Sequence, residues 1–68
     1  MAQDAAKSYQ RYAAARDEKK MLDSEVARTA GISQVTLSEW KNGRSMPKFD
    51  KMSRIASAVG ITIAEIYG

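Results

Sequence analysis

Within six positions the chain places Gln34, Val35, Ser38 and Glu39, which supply a bidentate amide, a small branched apolar group, a hydroxyl and a carboxylate. At about 100° per residue, Val35, Ser38 and Glu39 share one side of a helix with Asn42, and Gln34 lies at its N-terminal tip. Leu37 and Trp40 fall on the opposite side. The outward groups are of the kinds that discriminate base edges in the major groove of duplex DNA, which is wide enough to admit a helix. Gln34 can pair with adenine, Glu39 can accept from the amino group of cytosine, and Val35 can touch a thymine methyl. The same residues also make an ordinary solvated face, and taken alone they leave both readings open. Leu37 and Trp40 are expected in the core. Trp40 could instead offer a flat platform to a base, but its helical phase with Leu37 argues for burial.

Charge bears on that choice. The 68-residue chain has a net charge of +3, and its distribution says more than its total. Residues 41–54 hold Lys41, Arg44, Lys48, Lys51 and Arg54 against Asp50 alone, a local +4. Residues 21–40 set Arg28 against Asp23, Glu25 and Glu39, a local −2. A basic segment that follows a nearly neutral helix suggests contact with a polyanion, with a solvated basic face as the alternative.

Other chemistries find little support. The chain has no cysteine and no histidine, which removes disulfides, thiol chemistry and nearly all zinc-site designs. Ser33, Ser38 and Ser45 have no evident base partner, and Asp23 and Glu25 lie too close together on one short helix to suggest an acid/base pair. No enzyme activity, cofactor, metal or small-molecule ligand is expected. No apolar run approaches the roughly 20 residues of a membrane span, and the opening Met-Ala-Gln-Asp is not a signal peptide. A membrane-active basic helix over residues 4–20 is disfavoured by Asp4, Asp17 and Glu18. A cytoplasmic protein of one domain, 1–68, is the expectation. At this length only about 60% of the unfolded chain's surface is buried on folding, so its stability should be modest.

The elements that must position these residues are all helical by spacing, with no segment alternating cleanly enough for a strand. A first helix is expected from about Asp4 to Lys19, with Tyr9, Tyr12, Ala13 and Arg16 on one face. A second runs from about Ser24 to Ala30, a third from Gln34 to Asn42, a fourth from Phe49 to Val59 and a fifth from Ile63 to Tyr67. Two joints share one design. Gly31-Ile32-Ser33 and Gly60-Ile61-Thr62 each put glycine where a helix ends left-handed, then an isoleucine to staple the next helix, then a capping hydroxyl. Thr62 and Glu65 have capping-box spacing. Gly43 closes the third helix, and Ser45-Met46-Pro47 reads as loop. Ala27, Gly31, Leu37 and Trp40 meet the mechanical needs of a helix-turn-helix: a small residue for close approach, glycine for the corner, and an apolar pair to hold the second helix on the first.

With Arg16, VARTAGISQVTLSEWKNGRSMPK (Val26 to Lys48) and IASAVGITIAEIY (Ile55 to Tyr67) in that order, the chain resembles the phage repressor/Cro-like, XRE-type helix-turn-helix family from about Tyr9 to Tyr67. The resemblance implies an all-α fold, a compact five-helix bundle whose third helix is the recognition helix. It implies sequence-specific binding to double-stranded DNA as a transcriptional regulator, usually as a homodimer on a near-palindromic operator. Carried onto this chain, it sets Gln34, Val35, Ser38 and Glu39 against bases. It sets Ser24, Ser33, Thr36, Asn42, Arg44, Ser45 and Lys48 against the DNA backbone, with Ser33 serving as a helix cap in the other reading. Where the family often has a polar cap followed by glutamine, this chain has Leu22 and Asp23, and Lys41 stands where glutamate is common. Asp23 is expected to repel a phosphate, and Ser24 to substitute for the missing contact if the second helix starts one residue late. Residues 1–8 lie outside the resemblance and are expected only to lengthen the first helix. Ile63, Ile66 and Tyr67 are candidates for a dimer patch, or else core. The competing reading is an antitoxin- or antirepressor-like protein-interaction module on the same fold, supported by the acidic second helix and Glu39.

Overall fold

The computed structural model describes residues 2–68, with side chains from residue 5 onward; the readings placed on Met1 and on the Asp4 carboxylate lie outside the described residues. Five helices form in this span: α1 (Ala2–Glu18), α2 (Asp23–Ala30), α3 (Gln34–Lys41), α4 (Phe49–Val59) and α5 (Ile63–Tyr67). α4 and α5 have the bounds expected from their spacing, and α3 ends one residue early, with Asn42 as its C-cap.

The corners are built as the glycines and hydroxyls require. Gly31 takes φ 70° and Gly60 φ 77°, a left-handed conformation in which any Cβ is strained. In each corner the following isoleucine N–H reaches back to the helix it leaves, Ile32 to the Ala27 carbonyl at 2.9 Å and Ile61 to the Ala56 carbonyl at 3.0 Å. Ile32 and Ile61 are half-buried against the core. Ser33 Oγ then accepts from the Val35 N–H at 3.1 Å. At α5 the capping box is complete: Thr62 Oγ1 accepts from the Glu65 N–H at 3.1 Å, and Glu65 Oε2 accepts from the Thr62 N–H at 2.7 Å.

α1 packs on α3, α4 and α5, while α2 lies against α3 and α4. At the centre Tyr12, Val26, Leu37, Trp40, Met52, Ile55 and Ile66 have no exposed surface. Ile66 is therefore core and leaves the candidate dimer patch. Tyr9, Tyr12 and Trp40 form an aromatic cluster with ring centroids 5.1–5.4 Å apart, distances at which offset or tilted rings attract.

Two expectations are corrected. Residues 5–8 do more than lengthen α1, because Ala5 and Ser8 are buried in the core. α2 starts at Asp23 and not at Ser24, with Leu22 as its N-cap residue. Leucine offers no acceptor to the first turn, so only half of a capping box forms, through Glu25 Oε1 accepting from the Leu22 N–H at 2.8 Å. The Arg11 guanidinium ties α1 to the C-terminus of α5 by donating to the carbonyls of Ile66 (3.3 Å) and Tyr67 (3.1 Å).

Candidate nucleic-acid interface

α3 is two-faced in the structure. Leu37 and Trp40 are fully buried. Val35, Ser38, Glu39 and Asn42 are exposed on the other side, with Gln34 exposed at the tip. Val35 keeps 62% of its surface exposed. Among the described residues, the side chains of Gln34, Ser38 and Glu39 make no hydrogen bond and no ion pair. Their donors and acceptors are directed at solvent.

The α3–α4 loop adds a cationic border to this face. Arg44, Ser45 and Lys48 are exposed, and the ion pairs among the described residues involve only Arg16. Lys48 is also the backbone N-cap of α4. Thr36 is half-buried at the edge of α3 that faces this loop. Ser33 caps α3 through a lone pair, which leaves its hydroxyl proton free to donate outward, so the capping and phosphate roles are compatible. Ser24 is exposed in the first turn of α2, but the late helix start on which its substitution depended does not occur.

Asp23 behaves differently from expectation. Its Oδ1 accepts from Arg16 Nη1 at 2.8 Å and from the Tyr12 hydroxyl at 2.5 Å, and its Oδ2 accepts from the Tyr9 hydroxyl at 2.8 Å. Burial pushes this carboxyl up, yet the donors Tyr12, Arg16 and Tyr9 outweigh it and hold Asp23 below the usual carboxylate range. The phenols respond in the opposite sense, with Tyr9 and Tyr12 pushed above their ordinary value by burial and then by the neighbouring Asp23 charge. Far from presenting an open negative charge to a phosphate, Asp23 is an acceptor for three side chains of α1. The network ties the N-terminal turn of α2 to the last three turns of α1, and so fixes the helix on which α3 is braced. Glu25 is likewise engaged at the Leu22 N–H.

Sequence spacing had placed Tyr9, Tyr12 and Arg16 on one face, but it did not show that Asp23 would be their common partner. Ser8 was missed altogether: its hydroxyl accepts from Trp40 Nε1 at 2.9 Å. A lone serine on an alanine-rich helix offers no pattern by which to find it.

None of the described helices is long and apolar enough to cross a membrane, and among the described residues no cluster of three potential metal ligands occurs. No curated protein matches the chain. A family model described as "Helix-turn-helix" (HTH_3) does match, over residues 13–66, a span that takes in α2, α3 and the loop bordering them. The chain therefore belongs to the Cro/lambda-repressor-like, XRE-type helix-turn-helix family of DNA-binding transcription regulators.

Proposed function

We propose that this chain is a phage- or prophage-type repressor that inserts α3 into the major groove and acts at an operator in the bacterial cytoplasm, on the nucleoid. The observation that carries this reading is the division of α3 into a wholly buried side, Leu37 and Trp40, and an opposite side whose polar groups have no partner among the described residues. Gln34, Val35, Ser38 and Glu39 read base edges, while Ser33, Thr36, Asn42, Arg44, Ser45 and Lys48 hold the backbone. Phosphate contacts set orientation and much of the affinity, and the base contacts set the sequence. Ser24 is the weakest member of the backbone set, since it follows Asp23 inside the helix.

The molecule measures 26 × 22 × 20 Å, less than the roughly 34 Å between successive major-groove faces. One copy presents one α3 to one groove, and a near-palindromic operator calls for two copies. The alternative of a dedicated protein-interaction module drew on the acids of α2. With Asp23 and Glu25 both engaged internally, Glu39 is the acid left to support it.

Selection of bound duplexes from a random library at moderate salt tests the proposal. Enrichment of an inverted repeat with half-sites one helical turn apart is the expected result. Binding that appears only at low salt, with no enriched sequence, overturns specific recognition and moves the protein-partner reading forward.

A further inference from the structure

Asn42 is the only asparagine in the chain, and Asn42-Gly43 is the only place where an asparagine or aspartate precedes glycine. In such a pair the glycine's backbone nitrogen can attack the side-chain carbonyl carbon, because a residue without Cβ leaves that nitrogen unhindered. A bond forms between Gly43 N and Asn42 Cγ while the bond from Cγ to the side-chain nitrogen breaks. Ammonia leaves, carrying the proton that Gly43 N gives up. Water then opens the cyclic imide at either carbonyl, yielding aspartate or isoaspartate at position 42. Water is the only co-reactant.

The fold sets how fast this step proceeds. Asn42 is exposed, and among the described residues its side-chain amide makes no hydrogen bond. Nothing lies within 4 Å of the point where a Gly43 Cβ would stand, so side chains do not crowd the pair. The attacking nitrogen, however, is held. The Gly43 N–H donates to the Trp40 carbonyl at 3.0 Å and the Arg44 N–H to the Glu39 carbonyl at 2.9 Å. Asn42 keeps φ −85° and ψ 3°, which turns the Gly43 nitrogen back along α3 and away from the position that closes the ring. Reaction therefore needs a rotation about ψ that breaks both hydrogen bonds. They lie at the exposed end of α3, and such ends open locally without unfolding of the domain. Two backbone hydrogen bonds slow the step roughly thirtyfold without stopping it.

We propose that Asn42 is a self-modifying site, at which fraying of the last turn of α3 converts the amide to a carboxylate as the protein ages. Both products work against the nucleic-acid face. The carboxylate adds negative charge at the C-terminus of α3, already the negative end of the helix, and between Lys41 and Arg44. Isoaspartate also inserts a methylene into the main chain just before Gly43, whose φ of 72° makes the turn, and so displaces Arg44. This goes beyond the operator reading and rests on it only for the effect on binding. A copy seated on phosphates through Asn42 and Arg44 has its turn clamped, so bound copies age more slowly than free ones.

The test uses the full chain in two arms. Without DNA, the chain is incubated at mildly alkaline pH in native buffer and in urea, and peptide mapping by mass spectrometry follows amide loss and the isoaspartyl linkage at position 42. Slow accumulation in native buffer and roughly thirtyfold faster accumulation in urea are expected. Asn42→Gln, whose longer side chain closes a ring far less readily, should stay intact. Equal rates in the two conditions would show that α3 does not gate the step, and product in urea with none in native buffer would show that the folded chain is closed to it. Either outcome overturns the proposal. On duplexes from the selection, Asn42→Asp is expected to weaken binding roughly tenfold, and ageing should weaken the parent chain but not Asn42→Gln. Undiminished binding by Asn42→Asp and by the aged chain overturns the effect on the nucleic-acid face. If no duplex is enriched at all, the first arm still decides the chemistry, so failure of the operator reading is distinguishable from failure of this one.

Discussion

The indole N–H of Trp40 donates to the Ser8 hydroxyl across 2.9 Å, and the Ser8 O–H in turn donates to the Ala5 carbonyl at 3.0 Å. Both residues are sealed from solvent, Trp40 at 0% and Ser8 at 2% exposure. α3 is thus pinned to α1 by a polar link inside an otherwise apolar core, and the link fixes the rotation of α3 as well as its depth.

Ser8→Ala leaves that indole donor buried without a partner. A buried orphaned donor costs about 1–3 kcal/mol, and the expected outcome is a loss of that size in urea denaturation followed by Trp40 fluorescence. Retention of full stability would mean that the indole finds another acceptor.

The Asp23 cluster makes stability depend on pH at both ends. Asp23 is held below its ordinary value of 3.8, so its contribution is complete above that value and disappears as pH falls through the lower folded-state value. Tyr9 and Tyr12 are raised above 10.0, so their contribution is complete below pH 10 and is lost as pH rises beyond it. Asp23→Asn should flatten the acid limb of a stability-versus-pH curve, and Tyr12→Phe should reduce the alkaline one. Asp23→Ala, which strands Arg16 and two phenols, should cost about 2–3 kcal/mol at neutral pH.

Lys20 takes φ 57° at the end of α1. Its N–H bonds to the Asp17 carbonyl at 3.0 Å and the Met21 N–H to the Arg16 carbonyl at 3.1 Å, the same closure that glycine makes after α2 and α4. A lysine Cβ is strained there, so Lys20→Gly is expected to raise stability by about 1 kcal/mol, read as a higher thermal midpoint.

On DNA, Arg44→Ala should weaken binding to all sequences alike and reduce the salt slope by about one unit. Gln34→Ala and Val35→Ala should instead change the preferred sequence, at about 1–3 kcal/mol for each lost base contact. A competition assay in which Gln34→Ala leaves the preferred site unchanged would contradict the assigned orientation of α3.

What was legible in the chain was local. Gly31, Gly60, Ser33 and the Thr62–Glu65 pair announce their turns through backbone chemistry within four residues, and the corners fold as read. The burial of Leu37 and Trp40 follows from helical phase alone. Lys20 gave no warning, because lysine is no signal for a left-handed residue and the closure is visible only in its hydrogen bonds. Asp23 was misread for a different reason. Its charge is evident in the sequence, but its partners sit seven to fourteen residues earlier on another helix, and only packing reveals that they neutralise it. Ser8 fell outside the family resemblance, and its role depends on a contact 32 residues away.

Among the described residues, the polar side chains on the outward side of α3 make no hydrogen bond and no ion pair, while Leu37 and Trp40 on the inward side are wholly buried in the core. Substitutions at Gln34, Val35, Ser38 and Glu39 are expected to cost folding little, since among the described residues their side chains hold no internal hydrogen bond. If these residues read bases as proposed, lineages carrying this scaffold are free to drift from one address on the chromosome to another, and the architecture that supports the reading never has to be reinvented.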